Sequence, residues 1–122
     1  MKKLLIFIFC IFAFGANAME KKTTFTKDLF NKAQSEGKVV VISSWIKYCT
    51  SCASQMKALN KLKNEFDNLE YFTFEVTNRD IADFLKVQYQ TTLLIFKDNK
   101  EVHRSIGLTK KDKIYEVIKS SI

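Results

Sequence analysis

Two cysteines stand three residues apart in Cys49-Thr50-Ser51-Cys52. The pair follows a β-branched run, Val39-Val40-Val41-Ile42, and opens a stretch where Cys52, Met56, Leu59, Leu62 and Phe66 recur at steps of three and four. That spacing predicts a helix, so the first sulfur should sit where a buried strand gives way to a helix start. Free N–H groups and the dipole of a helix start favour an anion. A thiolate is the attacking species in disulfide exchange, and its pKa, ordinarily about 8.5, falls to roughly 3.5–7.5 in such settings. Cys49, at the tip, is the expected nucleophile. Cys52, one turn in, is the expected buried resolving thiol, which attacks a mixed disulfide and releases the substrate.

Two other uses of the pair remain open at this point. As a structural crosslink, so short a loop contributes about 1.9 kcal/mol on the chain-entropy model, against about 3 for fifteen residues. As a zinc site it is incomplete, because zinc usually takes four ligands. The chain's remaining candidates are Cys10, which falls in the leader described next, and His103. Two thiolates do suit Cu(I). No resident metal or other cofactor is expected.

The first eighteen residues read as a separate unit. Lys2 and Lys3 precede an unbroken apolar run of eleven residues, 4–14, and Gly15-Ala16-Asn17-Ala18 places small residues where a signal peptidase reads. This is the layout of a secretory signal peptide, and the run is short of the roughly 20 residues of a membrane span. Cleavage is expected after Ala18, giving an exported domain of residues 19–122. Cys10, between Phe9 and Ile11, lacks the small residue that precedes a lipid-attachment cysteine. Export means an oxidising compartment, the periplasm where the source is a Gram-negative bacterium, and there the two remaining cysteines sit in one motif.

Length and composition bound the rest. A chain of 122 residues holds one domain, and 47% apolar with 27% charged residues describes a globular one. Without Lys2 and Lys3, eighteen basic residues face thirteen acidic ones, a net charge of +5. The lysines are scattered (Lys57, Lys61 and Lys63; Lys110, Lys111 and Lys113) along expected helix faces, so nucleic-acid binding is not expected. No dimer signal stands out, and a monomer is the default.

The pattern also orders the elements. Residues 19–24 read as a lead-in. Thr26 caps a helix with Leu29, Phe30 and Ala33 on its apolar side, ended by Gly37. A strand over 38–45 is followed by a helix over about 49–68, then a strand over 71–76. Asn78 caps a short helix carrying Ile81, Ala82 and Leu85. Residues 92–96 and 101–106 form a hairpin around Asp98-Asn99. Gly107 breaks it, and Thr109 with Asp112 resembles a capping box for a last helix burying Ile114, Val117 and Ile118. This alternation implies an α/β fold, a central mixed β-sheet flanked by helices on both faces.

With these residues in place, the chain resembles the thioredoxin superfamily over about residues 25–122. The segment Trp45-Ile46-Lys47-Tyr48-Cys49-Thr50-Ser51-Cys52 is similar to the family's strand–loop–helix active-site stretch, with aromatic residues four before and directly before the first cysteine. Thr92-Leu93-Leu94-Ile95-Phe96-Lys97-Asp98 resembles its later strand, and Gly107 a glycine after its last strand. The resemblance implies a thioredoxin-like fold and a redox-active Cys49–Cys52 disulfide exchanging with protein thiol or disulfide substrates. It also implies a substrate-binding rim that includes Trp45, Tyr48 and Thr91.

Three positions depart from the family. Thr91 stands where relatives carry a cis-proline that helps dock substrate, and its hydroxyl is in a place to hydrogen-bond a thiolate. Ser43 stands near the family's buried aspartate, which assists proton transfer to the resolving thiol. Glu75 is the nearest substitute on the next strand, although a solvated strand residue is the simpler reading. Lys57 replaces a helix-kinking proline, so a straighter helix is expected. His103, on an expected edge strand, reads as a surface histidine. The reading preferred from sequence is an exported thiol–disulfide oxidoreductase, reductase rather than oxidase, with a membrane electron donor. A copper-handling chaperone and a non-catalytic binding domain on the same fold are the alternatives.

Overall fold

The computed structural model describes residues 22–122, and the expected leader with its Cys10 lies outside them. Helix α1 (Lys27–Ser35) starts where Thr26 Oγ1 accepts the Leu29 N–H at 3.0 Å. It buries Phe30 and Ala33, whereas Leu29 turns out exposed. Strand β1 (Val39–Trp45) is buried along its whole length, as a β-branched run covered on both faces must be. Helix α2 (Thr50–Leu62) crosses one face of the sheet and β2 (Leu69–Glu75) then runs parallel to β1, with Val39 opposite Leu69 and Trp45 opposite Glu75. Parallel neighbours need such a crossover. Helix α3 (Arg79–Leu85), capped by Asn78, leads to β3 (Thr92–Lys97), antiparallel to β1. β4 (Lys100–Ile106) then pairs antiparallel with β3, and α4 (Lys111–Ser121) ends the fold. Between β3 and β4, Asp98 (φ 54°) and Asn99 (φ 66°) both take the left-handed backbone that a two-residue hairpin turn requires.

The strand order β2-β1-β3-β4 makes the mixed sheet that the element order implies. Side chains of β1 alternate between two cores. Val40 and Ile42 pack with α1 and α3, through Phe30, Ala33, Ile81, Ala82 and Leu85. Val39 and Val41 pack with α2 and α4, through Ala58, Leu59, Leu62, Ile114 and Ile118. Each buried Val, Leu, Ile or Phe side chain among them contributes about 1.5–3 kcal/mol. β1 is therefore held from both faces, and the segment leaving its end at Trp45 starts from a fixed point.

Two helix boundaries differ from expectation. α2 ends at Leu62, a 3-10 turn covers Lys63–Glu65, and Phe66 is already extended (φ −120°, ψ 135°). The helical spacing of Phe66 is coincidental: it reaches the core from the following loop, against the Tyr115 ring at 5.3 Å. No capping box forms at α4. Its N-cap is Lys110, without a side-chain cap bond, so Asp112 stands one position too early and accepts the Lys113 N–H instead. Val117 is half-buried beside fully buried Ile114 and Ile118.

The lead-in is more than a tail. Thr73 accepts the N–H groups of Thr24 (2.8 Å) and Phe25 (3.1 Å) on its carbonyl. The Thr73 N–H donates to Thr24 Oγ1, its hydroxyl to the Lys22 carbonyl, and the Glu75 N–H to Thr23 Oγ1. Phe25 then plugs the α1–α3 side of the core against the rings of Phe30, Phe72, Phe74 and Phe84.

Candidate active site

The chain leaves β1 at Trp45 and turns through Ile46, Lys47 and Tyr48, with Tyr48 in left-handed backbone at φ 61°. That turn delivers Cys49 as the N-cap of α2. Its Sγ accepts the Cys52 N–H at 3.2 Å, the bond that a serine or aspartate oxygen makes at an ordinary helix start. Cys49 is half-buried and Cys52 is fully buried (0% exposed). The two form a disulfide across a Cα–Cα distance of 5.3 Å. Trp45 is buried and packs with Cys52 and Met56. Tyr48 projects almost wholly into solvent, at 98% exposed.

Thr91 arrives from the opposite side, on the loop before β3. It is 3% exposed and sits at φ 61°. Its N–H donates to the Ser44 carbonyl and its carbonyl accepts the Gly107 N–H, both at 2.9 Å. Ser44 fixes the rest of the loop, donating its hydroxyl to the Tyr89 carbonyl and accepting the Thr92 N–H. So held, Thr91 Oγ1 lies 3.2 Å from Cys52 Sγ, 3.6 Å from Cys49 Sγ and 3.0 Å from Ser51 Oγ. Ser51 Oγ is itself 3.5 Å from Cys49 Sγ. Thr91 thus touches both sulfurs, whereas Trp45 lines the buried side and Tyr48 the solvent side.

Ser43, in the place of a buried acid, is fully buried and shares a hydrogen bond of 2.9 Å with the Tyr71 hydroxyl. Burial pushes the Tyr71 phenol well above its ordinary value, with the Ser43 hydrogen bond a partial offset, so the pair is neutral. Glu75 is partly exposed at the end of β2, opposite Trp45, and Lys57 is exposed on α2. His103 bonds Ser105 on its own strand at 2.9 Å, and burial lowers its imidazole pKa, with Glu101 a partial offset. Among the described residues no three His, Cys, Asp or Glu side chains gather where a metal ion could be held.

Sequence reasoning missed Gln55. It is fully buried one turn beyond Cys52, and its Nε2 donates to the Leu108 carbonyl at 2.8 Å and the Thr91 carbonyl at 3.3 Å. A polar residue inside the apolar stripe Cys52, Met56, Leu59, Leu62 was the available signal. Ser51 carried no signal beyond its place between the cysteines.

The arrangement joins a partly accessible sulfur at a helix start to a buried sulfur behind it, both within reach of a hydroxyl. That set suits two-electron thiol–disulfide exchange. Known proteins agree with the geometry. The family model described as Thioredoxin matches residues 18–120. A thioredoxin of Bacillus subtilis is 30% identical over 95 residues, spanning 76% of this chain and 90% of that protein. A thioredoxin H-type of Fagopyrum esculentum is 27% identical over 89 residues, spanning 72% of this chain and 77% of its own. Among solved structures, Trxlp from Edwardsiella tarda EIB202 superimposes with a TM-score of 0.71 at 24% identity, over 76% of this chain and 93% of that one.

Proposed function

This chain belongs to the thioredoxin family, and from that premise we propose that it is an exported dithiol reductase of protein disulfides. Family membership together with the Cys49–Cys52 disulfide supports thiol–disulfide oxidoreductase activity. The observation that carries the reading is the asymmetry of the pair: Cys49 half-buried as the N-cap of α2, Cys52 sealed in the first turn behind it. Cys49, as thiolate, attacks one sulfur of a substrate disulfide and forms a mixed disulfide. Cys52 then attacks Cys49, and the substrate leaves reduced. Tyr48 offers the exposed rim on which the substrate chain docks, with Trp45 and Thr91 buried behind it as its support.

Export rests on the leader pattern of residues 1–18. The reducing direction rests on a small domain whose strand and loop aromatics resemble thioredoxin. A reductase in an oxidising compartment needs electrons delivered, and a membrane-embedded donor is the partner that fits. The chain works as a monomer in this reading. The test is the reduction potential of the Cys49–Cys52 couple in protein lacking residues 1–18, equilibrated in graded dithiol buffers with thiol trapping. A potential near about −270 mV is expected, whereas one near about −120 mV would make the protein an oxidant of folding chains. Absence of any reversible couple would end the oxidoreductase reading and make Cu(I) titration the next measurement.

A further inference from the structure

We propose that the proton Cys52 must lose before it can attack leaves through two hydroxyls, Thr91 and then Ser51. The proposal rests on the exchange reaction above. The need is set by burial. Cys52 is 0% exposed, so water does not take its proton directly. The β1 side chain placed for an inward base is a serine, already bonded to Tyr71, whose phenol holds its own proton tightly. On the other side, Thr91 Oγ1 stands 3.2 Å from Cys52 Sγ and 3.0 Å from Ser51 Oγ. Thr91 is buried and Ser51 is exposed, so two hydroxyls connect the sealed sulfur to solvent.

Each hydroxyl donates one hydrogen and accepts others, which lets a chain of them reverse direction. Disulfide sulfurs carry no hydrogen, so in the oxidised protein they only accept. In the mixed disulfide, Cys52 carries a hydrogen and the order runs outward. The Cys52 proton passes to Thr91 Oγ1, the Thr91 proton to Ser51 Oγ, and the Ser51 proton to water. Both hydroxyls end as they began. The Cys52 thiolate then forms a bond to Cys49 Sγ, and the bond from Cys49 to the substrate sulfur breaks. The electron pair leaves on the substrate sulfur, which takes a proton from water. Two electrons have moved from the dithiol to the substrate. Thr91 touches the reacting sulfur and is a catalytic residue in this scheme. Ser51 acts through it, and the Gln55 amide and the Ser44 carbonyl hold the Thr91 backbone in place.

An aromatic disulfide reagent that releases a coloured thiol separates the steps. Protein expressed from the full sequence in a Cys10→Ser background, reduced and mixed with excess reagent, releases one equivalent in a bimolecular phase, the attack by Cys49. A second equivalent follows in a first-order phase, the attack by Cys52. Thr91→Val keeps the volume and β-branching and removes the hydroxyl. It should lower the ratio of the first-order to the bimolecular rate constant about a hundredfold, the lower end of the range for positioned proton transfer. Thr91→Ser should restore the ratio. Ser51→Ala, at an exposed position that does not endanger the fold, should lower it too, and the double variant should be no slower than Thr91→Val. A first-order rate that curves with deuterium fraction in wild type and is linear in Thr91→Val would support more than one proton in flight. An unchanged ratio in either single variant, or multiplicative losses in the double, overturns the relay. A wild-type protein that never releases the second equivalent overturns the exchange reaction itself, which is a separate outcome.

Discussion

Replacing Gln55 by methionine tests whether this buried amide is there for its bonds or only for its volume. The two side chains are unbranched and similar in size, so little cavity is left. Gln55 Nε2 now donates to the Leu108 carbonyl at 2.8 Å and the Thr91 carbonyl at 3.3 Å. Thr91 O retains the Gly107 N–H at 2.9 Å, so it loses a second, longer bond and stays paired. Leu108 O loses its donor, and leaving a part-buried carbonyl unpaired costs about 2 kcal/mol. Against this, Gln55 Oε1 is buried without a hydrogen-bond partner, and deleting it returns about 1 kcal/mol. The expected net loss is about 1 kcal/mol, a fall of about 4–8 °C in Tm for a domain of this size. Gln55→Ala, which also leaves a cavity, should cost about 2–3 kcal/mol. Urea titration of the oxidised variants measures both, with an unchanged m-value as the check on two-state unfolding. A methionine variant as stable as wild type, or one as damaged as the alanine variant, would refute this division between bonding and packing.

Two further substitutions probe the far end of α3. Lys86, its C-cap, holds left-handed backbone at φ 59°. That conformation costs an L-residue about 1–2 kcal/mol, and glycine's extra chain entropy returns about half of the gain, so Lys86→Gly should stabilise by about 0.5–1 kcal/mol in the same titration. A loss instead would mean that the lysine side chain contributes something its backbone does not show. Arg104 donates from Nη1 to the Lys86 carbonyl and from Nη2 to the Leu85 carbonyl, and pairs with both oxygens of Glu101. Arg104→Ala should therefore destabilise by about 1 kcal/mol at neutral pH, discounted for partial exposure. The hydrogen bond from Arg104 holds the Glu101 carboxyl below its ordinary value, so the pair's stabilisation is present above about pH 4.3 and lost as pH falls through the lowered value. Thermal unfolding at pH 7 and pH 3 should show the gap between wild type and Arg104→Ala narrowing in acid. A gap independent of pH would remove the ion pair from the account.

Local chemistry explains why so much was legible. A β-branched run, threonine and asparagine caps, and Asp98-Asn99 between two strands each specify their element through near neighbours. The cysteine spacing does the same for the sulfur pair. What escaped depends on partners far along the chain. Gln55 reads as a blemish in an apolar stripe until the Thr91 and Leu108 carbonyls are seen above it. Ser51 has no evident role until the loop before β3 brings Thr91 within 3.0 Å. The end of α2 differs from its sequence pattern because Phe66 keeps the helical interval while packing from a loop, and the α4 cap because a one-residue shift moves Asp112 off its acceptor position.

The threonines before α1 have a bearing on solubility. β2 is an outer strand of the sheet, and Leu69, Tyr71, Phe72 and Phe74 make it a segment of high β-propensity. An outer strand with unpaired main-chain groups is a template on which another chain can add. Here the hydroxyls and main chain of residues 22–25 occupy the Thr73 N–H and carbonyl and the Glu75 N–H, as a neighbouring strand would. A few residues with no regular structure of their own thus guard the molecule against edge-to-edge aggregation. Trimming them for convenience would unmask an outer strand rich in aromatic residues.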